Sequence, residues 1–137
     1  MELVESGSDD PLWIDEFDGE SFVIGKTRFD GSVSLTLSGA QAVGFGIKDL
    51  TAPMVRRAIE DSGQKPDLAI FGTGTAPSAG FGPRALPTEA ARELAAAGVG
   101  FDAMRTDAAA RAVNMIRADG RLVIAWLFVD APPEPSA

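Results

Sequence analysis

Two stretches of the chain carry residue types from which a binding site could be built. The first is Phe71-Gly-Thr-Gly-Thr-Ala-Pro-Ser-Ala-Gly-Phe-Gly-Pro-Arg84, which follows a short apolar run and precedes a helix-like segment, where a phosphate-cradling loop would sit. It fails as a Walker A loop, because the Gly-Lys-Ser/Thr ending is missing and no Lys occurs after Lys65. As a dinucleotide fingerprint it begins with Gly72-Thr73-Gly74, but Pro77 stands where the third glycine is needed. The next helix also starts about ten residues too late for its amino terminus to meet a pyrophosphate. What stays open is a looser anion or small-ligand site on the amides of Gly72, Thr73 and Gly74, at the carboxyl end of a strand. The competing reading is a long irregular connection whose glycines serve only the backbone.

The second stretch surrounds Thr106, with Asp107, Arg111 and Asn114 following. Thr106 and Asp107 at a helix start leave first-turn amides facing whatever approaches, and Arg111 and Asn114, three apart, share a helix face. The plainer account is capping plus a solvated polar stripe. The candidate ligand-binding set is therefore Gly72, Thr73, Gly74, Thr106, Arg111 and Asn114, with no catalytic residue and no metal ligand assigned. Asp102, Asp107 and Glu93 have no spacing that pairs them for acid/base work.

The residue types that are missing narrow the chemistry further. There is no Cys, His or Tyr among 137 residues. Disulfides, thiolate catalysis and Cys-ligated metal are excluded, as is any Ser-His-Asp arrangement. No cofactor is implied. Of the net charge of −8, all comes from residues 1–20, which hold eight acids and no base. With no basic stripe to track a phosphate backbone, nucleic-acid binding is not expected. No run of about 18 apolar residues and no signal-peptide order is visible, so a cytoplasmic protein without membrane insertion is expected.

The elements that would position these residues follow from periodicity. Residues 1–11 read as a disordered acidic arm, either a solvated tail or a segment that docks on a basic partner, and 131–137 as a Pro-rich tail. Pro11-Leu-Trp-Ile-Asp-Glu-Phe17 is too apolar for an unstructured segment; it is either an edge segment closing the core or an anchor for a partner. Ser21–Ile24 and Thr27–Phe29 flank Gly25-Lys26, a tight-turn pair with Gly at the first central position. Ser32–Ser38 alternates strictly, with Val33, Leu35 and Leu37 facing a core and Ser34, Thr36 and Ser38 facing water. Gly39-Ala40 reads as a break and Gln41–Ile47 as another short strand.

Thr51 caps an amphipathic helix that ends near Ser62-Gly63, and Asp67–Phe71 is a buried strand. Pro87–Ala97 is an Ala-rich helix stopped by Gly98, followed by a strand within Val99–Met104 and a third helix from Thr106 to Gly120. Arg121–Val129 is the strongest strand signal. Antiparallel strands followed by a β-loop-α-β-α-β half predict a single α+β domain over residues 12–130, with a central mixed sheet and about three helices.

Four groups of residues, in this order, resemble a known family: Ile14…Phe17-Asp-Gly19…Phe22…Gly25…Phe29-Asp-Gly31-Ser32; Pro66-Asp-Leu…Phe71-Gly-Thr-Gly74; Gly98-Val-Gly-Phe-Asp-Ala-Met104…Thr106…Ala108-Ala109…Arg111…Asn114; and Gly120-Arg121-Leu-Val. The chain is similar over residues 12–129 to the domain-of-unknown-function family that includes mitochondrial complex I assembly factor three and an adipogenesis-associated human protein, with bacterial and archaeal members. The resemblance implies an α+β domain with a β-hammerhead-like hairpin region, no established catalytic residues, and a protein partner in the assembly of a respiratory or other membrane complex. The chain departs from the family in its longer Thr75–Arg84 loop and in Ala110. An interaction or assembly accessory factor is thus the leading expectation. The alternative is a small-ligand- or anion-binding domain, or an enzyme, using the Gly72–Gly74 loop and the start of the third helix.

Overall fold

Strand β1 (Ile14–Phe17) pairs antiparallel with β2 (Ser21–Ile24), which pairs antiparallel with β3 (Thr27–Asp30), giving a three-stranded sheet in the place where the hammerhead-like hairpin was expected. These elements belong to a computed structural model that describes residues 9–130. Most of the acidic arm, residues 1–8, and all of the tail, 131–137, lie outside the described residues. The β2–β3 turn places both Gly25 and Lys26 at positive φ, +56° and +72°. That is the type I′ combination, whose twist matches the strands it joins. Gly25 is also forced by contact, since a Cβ there would lie 1.9 Å from the Pro11 carbonyl oxygen.

The larger sheet has five strands. β4 (Val33–Thr36) pairs antiparallel with β5 (Gly39–Ala42) and with β8 (Val123–Leu127), while β6 (Leu68–Gly72) is parallel to both β8 and β7 (Gly100–Met104). The strand order is β5-β4-β8-β6-β7. Three α-helices occur among the described residues: α1 (Ala52–Asp61), α2 (Thr88–Ala96) and α3 (Thr106–Ala118). The chain is a single α+β domain, as its periodicity predicts.

The connection β6-α2-β7 steps outward and β7-α3-β8 steps back past β6. Right-handed crossovers in opposite directions put their helices on opposite faces of the sheet, and the two apolar clusters agree. Alternate residues of β8, Val123, Ala125 and Leu127, pack with α3 and the small sheet, whereas Ile124 and Trp126 pack with α1 and α2. β8 is therefore buried on both faces, which is why its sequence is a continuous apolar run. Phe71 stacks on Trp126 with ring centroids 5.2 Å apart and planes 2° apart.

Three expectations are corrected by this packing. Gly39-Ala40 is not a break but the start of β5; the turn is at Leu37-Ser38, held where the Leu37 amide donates to Ser62 Oγ (3.1 Å) and Ser38 Oγ donates to the Asp61 carbonyl (2.7 Å). Nor does the second face of β4 look onto water, since Ser34 is buried in a layer that α1 covers. The segment read as a strand through Ile47 stops at Ala42, and Ile47–Asp49 form a short 3-10 turn. The Pro11–Phe17 segment closes the core: Leu12, Ile14 and Phe17 are buried, and Phe17 stacks on Phe22 at 4.6 Å.

Candidate functional site

β6 ends at Gly72 between two parallel neighbours, so the loop after it leaves from the carboxyl edge of the sheet, where open sheets place ligands. The structure puts Gly72, Thr73, Gly74 and Thr106 together there, but binds them to one another. The Thr73 amide donates to the Met104 carbonyl at 2.9 Å, and the Gly74 amide donates to Thr106 Oγ1 at 2.7 Å. Thr106 is fully buried; its hydroxyl donates in turn to the Phe128 carbonyl at 2.6 Å, and its amide donates to the Gly74 carbonyl at 3.1 Å. One hydroxyl thus joins the ends of β6 and β8 to the first residue of α3. Thr106 is not the cap of that helix, since Arg105 holds the cap position without a side-chain bond.

The same closeness explains the glycines. A Cβ on Gly72 would lie 2.7 Å from Thr106 Oγ1 and 2.9 Å from Thr106 Cα, and one on Gly74, where φ is +111°, would lie 2.3 Å from Asp130 Oδ1. These residues are small because the chain's own backbone and side chains approach them.

Beyond Gly74 the loop is pinned by Asp130. Its carboxylate accepts from the Thr75 hydroxyl at 2.8 Å, the Thr75 amide at 3.1 Å and the Ala76 amide at 3.2 Å. Partial burial pushes the Asp130 pKa up, but the Thr75 hydroxyl, the two amides and the nearby Arg105 outweigh it and hold the carboxyl below its usual range. Arg105 bridges to the Thr75 carbonyl at 2.9 Å and to Asp107 at 3.2 Å. Asp107 is likewise lowered, its burial being outweighed by the bonds from Arg105 and the Ala108 amide. Further along, Thr73 Oγ1 bonds the Gly80 carbonyl, and the Gly82 amide donates to the Ala103 carbonyl at 3.0 Å. The Thr75–Arg84 loop therefore covers the outer edge of β7, which would otherwise offer unpaired carbonyls to another chain.

Asn114 is not with this group. It is buried under the small sheet, where its Oδ1 accepts from the Ile14 amide and its Nδ2 donates to the Ile14 carbonyl, both at 2.9 Å. Of the six residues singled out from the sequence, only Arg111 is exposed. Asp130 and Arg105, which complete the clasp, gave no local signal in the sequence: their partners are 55 and 30 residues away. Chemically the constellation offers little to a ligand, because the donors at Thr73, Gly74 and Thr106 and the carboxylate of Asp130 already have partners. Among the described residues no cluster of three or more acids could hold a metal ion, and no helix is long and apolar enough to cross a membrane.

The profile of a family described as "Protein of unknown function (DUF498/DUF598)" matches residues 14–128, which take in the Gly72–Gly74 and Thr106 contacts and the Asn114 contact and end two residues before Asp130. The chain belongs to this family. The resemblance read from the four residue groups is thereby borne out. Similar folds have been solved. A protein from Bordetella parapertussis is 28% identical, with a TM-score of 0.69, over 85% of this chain and 94% of that one. An outer membrane protein from Bartonella henselae is 28% identical, with a TM-score of 0.72, over 86% and 94%. A Bordetella pertussis protein described as a Mth938-like domain, 24% identical with a TM-score of 0.69 over 96% and 94%, shares the fold. No curated protein matches the chain.

Proposed function

We propose that this DUF498 protein is a non-enzymatic interaction protein, an accessory factor in the assembly of a respiratory or other membrane complex, which works in the cytoplasm without a cofactor. The observation that carries the reading is the internal saturation of the Gly72–Gly74 and Thr106 constellation: the groups best suited to a ligand hold β6, β8 and α3 together instead. The absence of His, Cys and Tyr supports it from the side of chemistry. The choice of a membrane complex follows the family resemblance, whose mitochondrial members help assemble complex I.

Affinity capture of the tagged chain from native cells, paired with complex I content in a deletion strain, tests the reading. Recovery of respiratory-assembly or membrane-biogenesis proteins and a loss of assembled complex are expected. Capture of neither class together with unaltered complex I would sink it. The alternative, ligand binding at the clasp, predicts a raised melting temperature with nucleotides, phosphates or organic acids; the proposal expects none.

A further inference from the structure

We infer that the outer face of α2 and the Pro83–Ala85 turn before it form the docking groove for an acidic, apolar segment of a partner protein, an inference that rests on the interaction reading above and gives it a surface. A short 3-10 turn at Pro83–Ala85 lies against the start of α2 and, with the helix, bounds an open groove of about 420 Å³. It is lined by the apolar Pro83, Leu86, Ala91 and Ala95 together with Arg84 and Arg92. The lining holds no acid.

The charge distribution on α2 is what selects the partner. Its two acids turn the other way: Glu89 accepts from the Ala52 amide at 2.8 Å, and Glu93 pairs with Arg56 at 3.0 Å, both toward α1. Among the described residues neither the Arg84 nor the Arg92 side chain has a hydrogen bond or an ion pair. On a chain of net charge −8, this face is locally basic and mostly apolar. Arginine carries its charge on an apolar stem and accepts a carboxylate through a two-pronged guanidinium. Two such groups bordering alanine and leucine surface fit carboxylates interleaved with aliphatic or aromatic side chains. From Thr88 to Ala95 the groove follows about 10 Å of helix, the length of two helical turns or a short strand in the occupant.

Phe81, two residues before Pro83 in the chain, adds a second element. It is 80% exposed between two glycines, yet its backbone is fixed on both sides, by Thr73 Oγ1 at the Gly80 carbonyl and by the Gly82 amide at the Ala103 carbonyl. An aromatic presented on an anchored loop loses little freedom on binding, which is the character of an interface hot spot.

Panning a random linear peptide library displayed on phage against the full chain tests the groove. Enriched peptides are expected to interleave Asp or Glu with Leu, Ile or Phe. The best of them, synthesised with a fluorescein label, is expected to lose about tenfold or more in affinity on the Arg84→Ala/Arg92→Ala double variant, and to weaken as salt is raised. Because both arginines are exposed, the variant should keep its melting temperature, and Arg84→Lys/Arg92→Lys should retain part of the binding. Peptides without acids, or binding unchanged by the double alanine variant, would overturn the inference. Concentration-dependent self-association that the same variant abolishes would also overturn it, because the occupant would then be a second copy's acidic arm. In the cellular capture, equal recovery of assembly proteins by wild type and double variant removes the groove but leaves the interaction reading standing; recovery by neither removes the reading itself.

Discussion

Thr106 does for this strand end what a bound phosphate does for a phosphate-cradling loop: it gives the Gly74 amide an oxygen to bond. The hydroxyl accepts from Gly74 and donates to Phe128, and it is fully buried, so neither partner can turn to water if it is lost. Thr106→Val keeps the shape and leaves both groups unsatisfied. At about 1–3 kcal/mol for each orphaned buried group, the variant should lose about 2–6 kcal/mol in urea unfolding, whereas Thr106→Ser should lose far less. An equal loss in the two variants would mean that the methyl, not the hydroxyl, matters. Gly72 belongs to the same contact. A glycine-rich stretch at a strand end is visible in sequence, but the reason for it is an atom of residue 106, and local pattern cannot distinguish glycine kept for a ligand from glycine kept for the chain itself.

At the scale of elements, what carries a signal in its own residues reads well, and what is set by distant partners reads poorly. The β2–β3 hairpin, α1 with its Thr51 cap, and the β6-α2-β7-α3-β8 order were all legible, because each carries a local signal such as Gly25-Lys26, a capping hydroxyl or an apolar run. The β4–β5 turn was not. Its position depends on Ser62 and Asp61, more than 20 residues away, and Ser34 looked solvent-facing only because α1 could not be placed over it. The attachment of β1 is the extreme case, since Asn114 bonds both backbone groups of Ile14 across 100 residues. A single Asn on an amphipathic helix reads as a polar stripe. Asn114→Leu should leave the Ile14 amide and carbonyl without partners and cost about 2–4 kcal/mol. Hydrogen exchange is expected to quicken at Ile14 and at Gly25, whose amide donates to the Trp13 carbonyl, before it does so in β6 or β8. Uniform loss of protection across both sheets would show that β1 does not open separately from the rest.

For the molecule as a whole, charge couples the start of the chain to the core. Asp10, in the arm that composition marks as solvated, meets Arg117 near the end of α3 through two bonds of 2.7 and 2.8 Å, and both side chains are largely covered. The bond from Arg117 holds the Asp10 carboxyl below its ordinary range, aided by the Leu12 amide and opposed by burial. Asp18 is lowered by the amides of Glu20 and Ser21, and Asp107 and Asp130 are lowered as described above. A carboxyl whose folded pKa lies below its unfolded value binds fewer protons in the native state. Its stabilisation is complete above the unfolded value of about 3.9 and is lost as pH falls through the lower folded value. The protein should therefore hold its stability from neutral pH down to about 4 and lose it below. Asp10→Asn should be less stable at neutral pH by about 1 kcal/mol, a partly exposed pair being worth less than a buried one, and its stability should fall less steeply on acidification. Urea midpoints at neutral pH and at about pH 3 measure both. If the two proteins lose stability in parallel below pH 4, the acid sensitivity belongs to the other lowered carboxyls, Asp18, Asp107 and Asp130, and the junction between the arm and α3 contributes nothing to it.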